Sequence, residues 1–175
     1  METARGIDIP WDRMTTPYGR GTALPVLMDQ QNYPEIASLI DHQSTLWQVT
    51  PWVLLRLLQE LRTKRPPEVS LAELDLYDAV ASSFVGKDVA NALHVEYMRD
   101  LLREECLWPS DSDEEADEER WSEEEPPGYD ELNFSSYYYY SYQMLLEAVP
   151  VFKAIGTEND QLRDAAERLI ARLQA

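Results

Sequence analysis

The chain is 175 residues long, 44% hydrophobic, and carries 33 acidic against 15 basic residues, for a formal net charge of −18. That length suits one domain whose core needs neither disulfide nor metal. The charge disfavours nucleic acid and anionic membranes as partners, and the single cysteine, Cys106, excludes an intramolecular disulfide.

Residues 1–33 hold Pro10, Pro17, Gly19, Gly21 and Pro25, which bar a long helix. They are expected to form an extended arm packed on the core, with room for a short strand near Ala23 to Met28. A helical block then covers residues 34–109. From Pro34 onward, Ile36, Leu39, Ile40, Gln43 and Trp47 share one helix face. Thr50 as N-cap and Pro51 at the first helical position start the next helix, with Leu54, Leu57, Leu58 and Leu61 as its stripe and an end near Lys64. Ser70 and Glu73 form a capping box before Leu74, Tyr77, Ala81 and Phe84, and Gly86 stops that helix. Asp88 is expected to cap a further helix carrying Val89, Leu93, Tyr97 and Leu101, with Met98 and Leu102 beside them, ending around Cys106 to Pro109.

Residues 110–132 read as an acidic loop or linker. The run from Asp111 to Glu125 holds ten carboxylates and one arginine, half of the chain's formal charge of −18. So little apolar content cannot offset the entropy of ordering, which predicts a solvated, disordered insert. Residues 133–175 form a C-terminal helical block of the same domain. Its Tyr-rich start is read as helical because Tyr138, Tyr142, Leu145, Val149 and Phe152 keep helical spacing, with a bend approaching Pro150. Being aromatic or apolar on nearly every side, this helix is either central or covered on one flank by a partner. A last helix opens between Thr157 and Asp160, with the stripe Leu162, Ala165, Ala166, Leu169 and Leu173. The fold class expected is all-α, a compact bundle or irregular stack of about six helices.

No catalytic pattern emerges. An EF-hand loop begun at Asp111 fails, because the sharp-turn position is Ala116 and the bidentate position is Ser122. His42 and His94 lack a second His or Cys one turn away for zinc, and neither has a Glu three residues before it. A satisfied boundary residue is the plainer reading of each. Cys106 follows Glu104 and Glu105, which disfavour its thiolate. Glycine-rich phosphate loops are absent. No cofactor or metal is expected. The N-terminus lacks a secretory signal pattern, and the apolar stretch Trp52 to Leu58 is broken by Arg56, far short of the roughly 20 residues that span a bilayer. A reducing, cytoplasmic setting without membrane association is expected.

Two short patterns flank the run. Pro126, Pro127, Gly128 and Tyr129 have the PPxY form that aromatic-lined grooves recognise, and Ser110 and Ser112 precede acids in the manner of kinase sites.

The reading that best fits is a non-enzymatic, acidic protein-binding module that inhibits, neutralises or recruits a basic protein partner, by the physical logic of immunity proteins and inhibitors. Its expected contacts are Asp113, Glu114, Glu115, Glu118, Glu119, Trp121 and Tyr129. Trp121 stands out as an aromatic in a charge run, the arrangement either of an exposed anchor or of a side chain that folds back onto the helices and tethers the insert. The alternatives are a structural or regulatory helical domain with a dispensable acidic loop, and a carboxylate-dependent metal enzyme.

Overall fold

A computed structural model describes residues 6–111 and 113–175. Ser112, one of the two serines with kinase-site character, lies outside the described residues. The others form eight α-helices and two small hairpins joined by 3-10 turns, so the chain is predominantly helical. Among the described residues no helix is long and apolar enough to cross a membrane.

The N-terminal segment is folded rather than extended. Strands β1 (Thr15–Thr16) and β2 (Gly19–Arg20) pair antiparallel, Thr15 with Arg20, across a tight turn that Gly19 closes at φ +119°. Helix α1 (Leu24–Asp29) stands where a strand had room. Pro25 sits in its first turn, where a missing N–H costs nothing, and Leu24 and Met28 bury on one face.

Helix α2 (Tyr33–Ile40) is shorter than its apolar stripe predicts. Strands β3 (Asp41–His42) and β4 (Thr45–Leu46) follow, and Gln43 and Ser44 turn left-handed at φ 53° and 61°. The reason is tertiary. Thr50 donates its hydroxyl to the Ile40 carbonyl at 2.6 Å, and the Leu46 N–H is taken by the Tyr138 phenol at 3.1 Å. Trp47 thereby leaves the helix stripe.

Helix α3 (Thr50–Leu61) begins at Thr50 itself, with Val49 rather than Thr50 as N-cap, and packs against the Tyr-rich helix Glu131–Glu147. Helix α4 (Leu71–Ser82) starts as its sequence predicts, with Ser70 Oγ accepting from Glu73 N at 3.2 Å. The reciprocal half of the capping box is replaced. The Glu73 side chain is turned inward, where it accepts from Lys64 Nζ at 3.0 Å and from the Tyr77 hydroxyl at 3.3 Å.

Residues 88–106 form no α-helix. Three 3-10 turns take its place, Val89–Asn91, Met98–Leu102 and Glu104–Cys106. Leu93 and Tyr97, expected inside, are 71% and 50% exposed, whereas Val89, Val95, Met98 and Leu101 are buried. Side chains of α6 (Glu131–Glu147) capture this backbone. Ser136 Oγ accepts from Val95 N at 2.9 Å, and the Tyr140 hydroxyl donates to the Val95 carbonyl at 2.8 Å. Such bonds compete directly with the i to i−4 ladder.

The tyrosine run is helical, as its spacing predicts. Tyr137 and Tyr138 are core residues with satisfied hydroxyls, while Tyr139, Tyr140 and Tyr142 are half-buried. The chain breaks at Ala148 into α7 (Val149–Glu158), with Pro150 in the new first turn. Asn159 interrupts the next stretch before α8 (Arg163–Leu173), whose stripe Ala165, Ala166, Leu169 and Leu173 is buried. Helix α8 packs on α4 and α7, and α6 joins this layer to α3.

Candidate functional site

The acidic segment is ordered, contrary to the expectation of a disordered insert: Glu114–Glu123 form helix α5, with Asp113 as N-cap accepting from Glu115 N at 3.1 Å. Ten residues are too few for a stable isolated helix. Like charges four apart, Glu114 with Glu118 and Glu115 with Glu119, weaken it further. Docking must therefore supply what local propensity does not.

Arg20, on β2, does most of this. Its Nε reaches Asp117 Oδ2 at 2.6 Å and its Nη2 reaches Asp117 Oδ1 at 2.8 Å. The remaining N–H groups go to the carbonyls of Asp12, Pro109 and Asp111, so all five guanidinium donors are used. The hydrogen bonds from Arg20 hold the Asp117 carboxyl below the usual carboxylate range, and those to Asp117 raise Arg20 in turn. One turn later along α5, Trp121 stacks between two other indoles, 6.1 Å from Trp47 at 17° and 5.9 Å from Trp108 at 14°. Arg20 covers the Trp108 ring at 5.7 Å.

Both ends of the segment are pinned. At the exit, Trp108 N donates to the Arg13 carbonyl at 2.9 Å and Arg13 Nε returns a bond to the Trp108 carbonyl at 2.7 Å. At the re-entry, the Tyr129 phenol accepts from Gln48 N at 2.9 Å and meets Thr15 Oγ1 at 2.7 Å. Gly128, at φ +84°, lies so close to the Tyr137 hydroxyl that a Cβ would collide with it at 2.8 Å and crowd Cys106 and Gln48 at 3.0 Å.

These contacts divide α5 into faces. Ala116, Asp117, Arg120 and Trp121 form a half-buried stripe at helical spacing, and Glu114, Glu115, Glu118, Glu119 and Glu123 remain exposed, as does Asp113. The expected contacts thus separate. Asp113, Glu114, Glu115, Glu118 and Glu119 lie together on the solvent side of one helix, whereas Trp121 and Tyr129 turn inward as anchors of the segment. Trp121 is drawn in by Trp47 and Trp108, 74 and 13 positions away in the chain. Tyr129 is drawn in because its hydroxyl finds hydrogen-bond partners in the core, and burial raises its pKa. The tyrosine of the PPxY pattern is therefore not presented for docking.

Arg20, Asp117, Trp47 and Trp108 hold the segment in place and were not among the expected contacts. Arg20 gave no local signal, but the spacing of Asp117, Arg120 and Trp121 within a charged run marks a face that docks.

A cleft of about 490 Å³ lies between the β1–β2 hairpin and α5, walled by Tyr18, Arg20, Trp108 and Trp121 and rimmed by Glu114 and Glu118. His42 is off this cleft, bonded through Nδ1 to Tyr18 Oη at 3.3 Å, and His94 is stacked on Tyr139 at 3.5 Å. Burial, then the Glu105 and Asp130 charges, push the Cys106 thiol up. No three His, Cys, Asp or Glu side chains converge among the described residues.

No family model matches the chain, and neither curated proteins nor solved structures give a match.

Proposed function

We propose that this protein is an acidic binding module that neutralises or recruits a basic protein partner through the outer face of α5. The observation that carries the reading is the presentation of that face: Glu114, Glu115, Glu118 and Glu119 are exposed on a helix whose opposite side is clamped by Arg20 and the Trp47–Trp121–Trp108 stack. A charge run that only kept the chain soluble would need no clamp. A clamped helix loses less entropy on binding and holds its carboxylates in fixed register. The concentrated negative charge steers a basic partner into encounter.

The experiment is affinity capture from the native host lysate at low and at high salt. It compares the full chain with a full chain carrying Glu→Gln at 114, 115, 118 and 119. A basic protein held by the unaltered chain, released by salt and not held by the variant supports the reading, because attraction between exposed charges is screened at high ionic strength. Equal capture by both chains at both salt concentrations overturns it.

A further inference from the structure

Resting on the acidic-face reading and deepening it, we propose that the cleft between the β1–β2 hairpin and α5 is the specificity pocket for an arginine side chain of the basic partner. The aliphatic stem lies against the exposed Tyr18 ring and the open edges of Trp108 and Trp121, and the guanidinium reaches Glu114 and Glu118 at the rim.

The arrangement on α5 leads to this assignment. Glu114, Glu118, Trp121 and Ser122 follow one another at helical spacing along the face that overhangs the cleft, whereas Glu115 and Glu119 point elsewhere. One face therefore combines carboxylates with an aromatic floor. That combination suits a side chain with a long apolar stem and a cationic head. Arginine fits better than lysine, since its planar, weakly hydrated head stacks on aromatic rings and forks onto carboxylates.

The cleft's own cation does not oppose this. Arg20 has every N–H committed to Asp117 and to three carbonyls, so its charge is compensated and no donor is left for an anion. Glu114 and Glu118 have no such compensation within the cleft, which is net negative. An anionic ligand is thereby disfavoured. At about 490 Å³ the space falls in the range of ligand sites, roughly 300–1,000 Å³. It exceeds one side chain, so residues flanking the arginine enter as well.

Two other depressions lack this combination. The one lined by Ile7, Trp52 and Met144 measures about 200 Å³ and is mostly apolar. In the one beside α8, Lys87 is bonded to the Ser83 carbonyl and Arg172 to Asp78.

The test is a titration of the full chain at low salt with a four-residue arginine peptide and its lysine and glutamine counterparts, followed by the indole N–H resonances of the tryptophans. Two variants of equal charge change are compared, Glu114→Gln with Glu118→Gln beside the cleft and Glu115→Gln with Glu119→Gln away from it. The expected result is movement of the Trp108 and Trp121 signals by the arginine peptide ahead of the lysine one. Affinity should fall about tenfold in the cleft variant and much less in the other, since charge-assisted bonds are the strong ones. Equal loss in both variants, or binding that leaves those two indoles unmoved, overturns the pocket while the acidic-face reading stands. Glutamine binding equal to arginine also overturns the pocket. If neither cationic peptide binds the unaltered chain, both readings fall.

Discussion

Arg20 grips Asp117 by two hydrogen bonds, 2.6 Å from Nε and 2.8 Å from Nη2, across 97 positions of the chain. The pair is mostly shielded, the side chains being 10% and 24% exposed. It joins a hairpin near the N-terminus to a helix whose own sequence opposes its formation, and so decides whether the acidic face is presented or loose.

Replacement of Arg20 by Ala should therefore undock α5 while leaving the helical body folded. Charge-assisted hydrogen bonds to a shielded carboxylate carry about 2 kcal/mol of docking. Arg20→Lys should restore only part of it, because an ammonium cannot reproduce the fork and reach the three carbonyls at once. Hydrogen exchange of the α5 amides should accelerate, with little change in the midpoint of global unfolding. Unchanged exchange would show that the arginine is dispensable.

Trp121→Ala should release the same helix by a different route. Stacking on Trp47 and Trp108 contributes about 1 kcal/mol for each ring pair, beyond the area buried. The near-ultraviolet circular dichroism of the coupled indoles should collapse, and Trp47 should become accessible to a soluble fluorescence quencher. Trp121→Phe should keep a fraction of the signal.

The acid response of the docked helix follows from Asp117. Its folded pKa is depressed by the hydrogen bonds from Arg20. The contribution is thus complete above the unfolded carboxylate value of about 3.9 and is lost as pH falls through the lower, folded value. The indole signal should persist down to about pH 4 and fade below it. In Asp117→Asn it should be weak at neutral pH and should lack that step.

Lys64 and Glu73 form a separate, structural pair, 10% and 1% exposed at the side chain and 3.0 Å apart. Burial alone would lower Lys64, but hydrogen bonds to Tyr33 and Glu73 raise it. Glu73→Ala leaves Lys64 with only the more exposed carboxylate of Glu60, 3.3 Å away, so it should cost about 2 kcal/mol in urea unfolding. The double replacement Lys64→Met with Glu73→Leu should recover most of that loss. A double variant as unstable as the single one would mean that Tyr33 and Tyr77 carry the network.

The chain's local pattern sufficed to determine where the apolar stripes of α3, α4, α6 and α8 lie. Their spacing matches the helix period, and burial of Leu54, Leu74, Leu145 and Leu169 needs only a nearby core. It also placed the exposed carboxylates of α5 in one segment. Tertiary structure alone decided the rest. Ile40 ends α2 because Thr50 takes its carbonyl, and Val95 leaves the helical region because Ser136 and Tyr140 take its backbone groups. The acidic run becomes a helix because Arg20, Trp47 and Trp108 receive one of its sides. In each case the deciding partner is distant in sequence or belongs to another element, and its hydrogen bonds and stacking outweigh a local propensity worth only tenths of a kilocalorie per residue.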